Sequence, residues 1–206
     1  MIYQESVSVN AFRINSDDML LPVYGGYIYI LSGDTESDVT SKQKQIAQLF
    51  RRFSPEINSG CGSVHFHRGE VRQAVLEAVY AASYSSLTKK SLPKYDDLGM
   101  YAFMVVPENR RLLQRLQKVF TSAVARCDKD NKLDLYDLTR HWILSGGDFA
   151  YVAKNMYIAK ATVRYRLNKL HDCLGVSNAN DFYAEVKLAV YAEHILNDEL
   201  LKHVFS

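Results

Sequence analysis

Three cysteines in 206 residues, Cys61, Cys127 and Cys173, are too few, too far apart and odd in number for a disulfide framework. None stands in a CxxC pair, so no zinc finger is written here, and the pattern fits a reducing cytosol. No apolar run approaches the roughly 20 residues that a bilayer span needs. Met1 leads into Tyr3-Gln4-Glu5 rather than a basic-then-apolar secretion signal, so neither membrane insertion nor export is expected. No internal repeat and no low-complexity tract is present. Charge is nearly balanced, 25 Lys and Arg against 23 Asp and Glu, so a net +2 gives the chain no general attraction for nucleic acid or an anionic membrane. Any such attraction must be local.

What is present is ordinary globular composition, 48% hydrophobic and 23% charged, enough for one large or two small domains. The first third alternates in twos. Val7, Val9 and Ala11 share one face of a segment running to Ile14, and Met19 to Tyr24 and Tyr27 to Leu31 flank Gly25-Gly26, a hairpin signal. From Ser41 to Phe53 the period becomes helical, with Ile46, Leu49, Phe50 and Phe53 on one stripe. Gly62 to His67 reads as a strand, Gly69 to Ser83 as a helix burying Val71, Ala74, Val75 and Ala78, and Tyr101 to Val106 as a last short strand. These elements predict an α+β domain over residues 1–107. A stripe of Leu112, Leu113, Leu116, Val119, Phe120 and Ala123 then predicts a connecting helix that, with the polar break Asp128 to Lys132, fills 108–131. Residues 132–206 read as an all-α domain with helices over Leu133 to Leu144, Phe149 to Met156, Lys160 to Leu174 and Asp181 to Leu196.

The chemistry concentrates between Phe149 and His171. Lys154, Lys160, Arg164, Arg166 and Lys169 stand there with no acidic residue, in a region, 131–206, that as a whole balances nine basic against nine acidic residues. Two short helices joined by a turn of about four residues have the spacing of a helix-turn-helix, whose second helix enters the major groove of DNA. Asp148, after Gly146-Gly147, is an N-cap for the first helix. In the second, Val163, Leu167, Leu170 and Leu174 form a buried seam at i, i+4, i+7 and i+11. Lys160, Ala161, Arg164, Tyr165 and Asn168 then share the outer face, where Arg164 is the leading base reader. Lys154, Arg166 and Lys169 flank it as phosphate contacts with Lys160, and Thr162 can donate its hydroxyl to a phosphate.

The string from Gly146 to Ile158, followed by Ala159 to Leu167 with its core Thr162-Val163-Arg164-Tyr165-Arg166-Leu167, resembles the C-terminal helix-turn-helix of PucR/CdaR-type bacterial transcriptional regulators. Where that family commonly has His-Arg-Asn before the Thr, this chain has Ala159-Lys160-Ala161, which removes a polar side chain from the start of the reading helix. Upstream, the hairpin, Ser59-Gly60-Cys61-Gly62, the helix from Gly69 and Tyr95-Asp96-Asp97-Leu98-Gly99 resemble the family's GGDEF-like, ferredoxin-like middle domain. The resemblance implies a cytoplasmic regulator of double-stranded DNA, with room for an unknown small-molecule effector. The stripe from Leu112 to Ala123, with Phe182, Val186, Ala189 and Val190, either pairs two copies into a homodimer, as helix-turn-helix proteins commonly do, or packs inside one chain. The sensor domain that usually precedes the middle domain would be absent, making the chain a short form or a fragment.

The hairpin turn Tyr24-Gly25-Gly26-Tyr27 lacks the carboxylates that would hold Mg²⁺ against a triphosphate, so the cyclase-like domain reads as degenerate. Asp128, Asp130 and Asp134 fail as a calcium loop because Lys132 and Leu133 occupy a ligand position and the turn glycine position. His65 and His67 beside Cys61 are too few ligands for zinc. No nucleophile elbow or phosphate loop appears. No catalytic residue, metal or cofactor is therefore expected, and the protein reads as a non-enzyme. Two other readings are a nucleotide-handling or small-molecule enzyme, which the carboxylate-free turn disfavours, and an adaptor that has lost DNA affinity.

Overall fold

The computed structural model describes residues 18–23, 26–53, 58–129 and 132–204. They form two compact units, one of residues up to Ala102 together with Asp198 onward, the other Phe103–Asn197. The helix expected to connect two domains thus falls inside the second unit.

In the first unit β1 (Met19–Val23) pairs antiparallel with β2 (Gly26–Ile30), in a register running from Met19 opposite Ile30 to Val23 opposite Gly26. The expected hairpin is present, but its turn is shifted by one residue, because Gly26, expected in the turn, pairs with Val23 inside β2. Its turn residues Tyr24 and Gly25, and the strand expected over Val7 to Ile14, lie outside the described residues. α1 (Glu36–Phe53) begins five residues before its expected start because Thr35 and Asp38 make a reciprocal cap. The Asp38 N–H donates to Thr35 Oγ1 at 3.2 Å, and the Thr35 N–H donates to Asp38 Oδ2 at 3.1 Å. Lys42 of α1 reaches back to Asp18 at 3.2 Å.

α2 (Val71–Thr88) is the expected second helix, but a different face of it is buried. Tyr80, Ala81, Tyr84 and Leu87 are buried, whereas Val71 is exposed and Ala74, Val75 and Ala78 are half-buried. Two glycines let the chain pass close over the half-buried Ala74 and Ala78. A Cβ on Gly60 would lie 2.1 Å from the Ala82 nitrogen, and one on Gly62 would lie 2.5 Å from the Ala74 carbonyl oxygen, so the Ser59–Gly62 backbone runs directly over the helix.

Two expected strands are corrected. Gly62 to His67 is irregular, with only an isolated parallel bridge between Cys61 and Lys94. Among the described residues no strand pairs with it. Its polar groups turn to Glu77 of α2, which accepts from the Ser63 N–H at 2.9 Å and lies 2.9 Å from His65 Nε2. Tyr101 to Val106 begins inside a short helix, α3 (Met100–Met104). Tyr101, Met104 and Val105 are buried at helical spacing, and the Tyr101 hydroxyl meets Ser83 Oγ at 2.7 Å. Ser83 in turn hydrogen-bonds Asp198, which precedes α9 (Glu199–Val204). The described residues of this unit hold one two-stranded sheet, and a ferredoxin-like sheet is not among them.

The second unit is helical: α4 (Arg110–Cys127), α5 (Leu135–Leu144), α6 (Phe149–Asn155), α7 (Lys160–Leu174) and α8 (Ala179–Asn197). Its core joins Phe120 and Cys127 of α4 to Leu135, Leu138 and Trp142 of α5, Val152 of α6, Val163, Leu167 and Leu170 of α7, and Phe182, Val186 and Val190 of α8. Trp142 is the hub. Its ring lies 5.5 Å from Phe182 and 5.1 Å from Tyr183 edge-on, and its indole N–H donates to the Gly147 carbonyl at 3.1 Å. The Asp128 carboxylate accepts the backbone N–H groups of Lys132 and Leu133 at 2.8 and 2.9 Å, so the acidic break is a backbone cap.

Candidate nucleic-acid interface

Backbone chemistry sets the two site helices. After α5, Gly146 at φ +70° and Gly147 at φ +94° reverse the chain, and their N–H groups donate to Ile143 and Trp142 carbonyls at 3.0 and 2.8 Å. Asp148 then caps α6, its Oδ1 accepting the Ala150 and Tyr151 N–H groups at 2.7 and 3.2 Å. The turn Met156 to Ala159 passes through Tyr157 at φ +55°, and the Ile158 N–H donates to the Ala153 carbonyl at 3.1 Å. α7 starts without a side-chain cap, since Ala159 holds the cap position, and stops at Gly175 in the left-handed region at φ +70°.

The seam on α7 falls where the spacing predicts. Val163, Leu167 and Leu170 are buried, and Leu174 is half-buried against the same core. Lys160, Ala161, Arg164, Tyr165 and Asn168 are all exposed, as is Lys154 of α6, while Thr162 and Lys169 are half-buried. The Arg164 guanidinium lies 5.5 Å above the Phe149 ring, a cation–π contact that orients it without neutralising it. Phe149, the first residue of α6, was not legible as part of the site; its aromatic ring at the start of that helix is the only signal. Tyr157, 95% exposed on the turn, likewise escapes a search based on charge.

Arg166 departs from the expected set. Its guanidinium turns inward and donates to the Leu133 carbonyl at 2.7 Å, with Asp134 at 4.0 Å, and its side chain is only 15% exposed. It braces the entry to α5 rather than facing solvent. Behind α7, the Cys127 thiol donates to the Lys169 carbonyl at 3.2 Å. Burial, then the neighbouring Cys173 thiol, pushes Cys127 up to about 12.

A buried seam, a capped short helix, a four-residue turn and an exposed basic face thus stand in one unit. Residues 135–192 match the PucR C-terminal helix-turn-helix domain. A PucR-type domain marks a DNA-binding transcription regulator. The match spans α5 to most of α8 and contains every sequence-predicted site residue, whereas α4 lies outside it. Among curated proteins and solved structures, none matches the chain.

In the first unit, Cys61, His65 and His67 are not gathered. His65 sits between Glu77 at 2.9 Å and Glu70 at 3.7 Å, and the His67 N–H donates to Glu70 at 3.2 Å. Burial pushes the Glu77 carboxyl up, but hydrogen bonds from His65, Ser63 and Gln73 outweigh it and hold the group below its ordinary 4.5. Among the described residues no group of three His, Cys, Asp or Glu side chains is placed to hold a metal ion, and no helix is long and apolar enough to cross a membrane.

Proposed function

We propose that the protein is a sequence-specific transcription regulator that lays α7 in the major groove of double-stranded DNA. The observation that carries this reading is the exposed face of α7, which combines Lys160, Arg164, Tyr165 and Asn168 opposite a buried seam, in a segment with five basic residues and no acidic one. Arg164, preset over Phe149, takes a base edge, with Asn168 and Tyr165 beside it and Ala161 packing against a base methyl. Lys154, Lys160 and Lys169 meet phosphates, and Thr162 donates to one. Arg166 holds the fold.

The protein acts in the cytoplasm of a bacterium, as a CdaR-like regulator without enzymatic activity, under control of a small-molecule effector. It binds as a homodimer. A two-fold pair would reach two half-sites lying about 10 base pairs or a multiple apart. Selection from a pool of random duplexes tests the reading: the wild type enriches one motif and Arg164→Ala enriches none. Equal enrichment by both proteins contradicts it.

A further inference from the structure

The solvent face of α4 holds a second block of charge. Arg110, Arg111, Arg115, Lys118 and Arg126 stand on this helix with no Asp or Glu. Buried Leu113, Phe120, Ala123 and Cys127 fix its phase, and the exposed Arg111, Arg115 and Lys118 then fall together on the opposite side. Among the described residues none of these three pairs with a carboxylate. α4 and the segment Phe149–His171 together hold ten basic residues and no acidic one, where their share of the chain would bring roughly five acidic residues. The rest of the chain carries fifteen basic residues against 23 acidic.

α4 and α7 meet at their C-terminal ends, about two turns beyond Lys118. Besides the Cys127 contact to Lys169, the Arg126 guanidinium donates to the Cys173 carbonyl in the last turn of α7 at 3.3 Å. We infer that Arg111, Arg115 and Lys118 form an auxiliary contact for the phosphates of duplex DNA, in the same unit as α7 and outside the matched domain. Seven residues of helix span about 10 Å, comparable with three successive phosphates of one strand. Phe120, Val124 and Cys127 of α4 pack into the core of its own unit, and exposed Leu112 and Val119 alone are a narrower apolar face than a basic amphipathic helix uses to enter a lipid surface.

The inference rests on α7 binding DNA, and the test separates the two. Full-length wild type, the triple variant Arg111→Gln, Arg115→Gln, Lys118→Gln, and a control triple variant Lys44→Gln, Arg72→Gln, Lys89→Gln are titrated with a 40-base-pair duplex carrying the selected motif, across salt. Each lost phosphate contact removes about 0.9 from the slope of log affinity against log salt. The α4 variant is expected to show a slope shallower by about 2 to 3 and an affinity at least tenfold weaker at low salt, with the motif preference kept. The control, which loses the same charge, changes neither. Equal losses in both variants, or an unchanged slope in the α4 variant, would overturn the contact while leaving the α7 reading intact. So would an unchanged slope accompanied by lost binding to phosphatidylglycerol vesicles, which would assign the face to lipid. Failure of the wild type to bind any duplex would remove both.

Discussion

At the residue scale, caps and carboxylates do distinct jobs. Asp148 satisfies two free N–H groups of α6, whereas Ala159 satisfies none at the start of α7. Asp148→Ala should therefore cost about 1 kcal/mol, and Ala159→Ser should add about 1 kcal/mol, because the Ala159 backbone at φ −69°, ψ 146° is already extended as a cap requires. Urea unfolding reads both changes, and no gain from Ala159→Ser would contradict the cap assignment. Glu77 gives a pH signature. A carboxyl held below its ordinary value contributes stability above 4.5 and loses it as pH falls through the lowered value. The stability advantage of wild type over Glu77→Gln should thus shrink as pH falls below about 4.5; an advantage that does not fall there would show that the carboxylate is not held by its neighbours. Asp148 was legible in the sequence because a cap is a local signal. Arg166 was not, because its partner Leu133 lies 33 residues away and spacing says nothing about which way a long side chain turns.

At the scale of elements, α7 emerged from the sequence with its ends intact because seam, basic face and terminal Gly175 agree. The two strands expected over Gly62 to His67 and Tyr101 to Val106 failed for a common reason. A run of four to six apolar or alternating residues is compatible with either period, and only a neighbour decides. Here the neighbour is α2, whose Glu77 and Ser83 take the polar groups of those segments. The seam predicts its own cost: Leu170→Ala, at a fully buried site, should destabilise the second unit by about 2 to 5 kcal/mol in chemical denaturation, and a loss under 1 kcal/mol would mean that the seam is not packed as described. Tyr157 holds a left-handed backbone conformation with its ring in solvent. Tyr157→Gly relieves strain of about 1 kcal/mol and loses no packing, so it should leave stability equal or higher; a clear loss would show that the ring is engaged.

At the scale of the whole molecule, charge is sorted rather than merely balanced. A net +2 conceals two basic blocks set in an otherwise acidic chain, and both blocks lie in the second unit. The composition alone hid this, since only the fold brings α4 and α7 into one unit. The central assignment, Arg164 on a base edge with Lys154 on a phosphate, is tested most directly by the ratio of affinities for the selected duplex and a scrambled one. Arg164→Ala should collapse that ratio, by about 5- to 150-fold for a lost base contact of 1 to 3 kcal/mol, while Lys154→Ala weakens both duplexes alike and leaves the ratio unchanged. A ratio that survives Arg164→Ala would contradict the placement of α7 in the major groove.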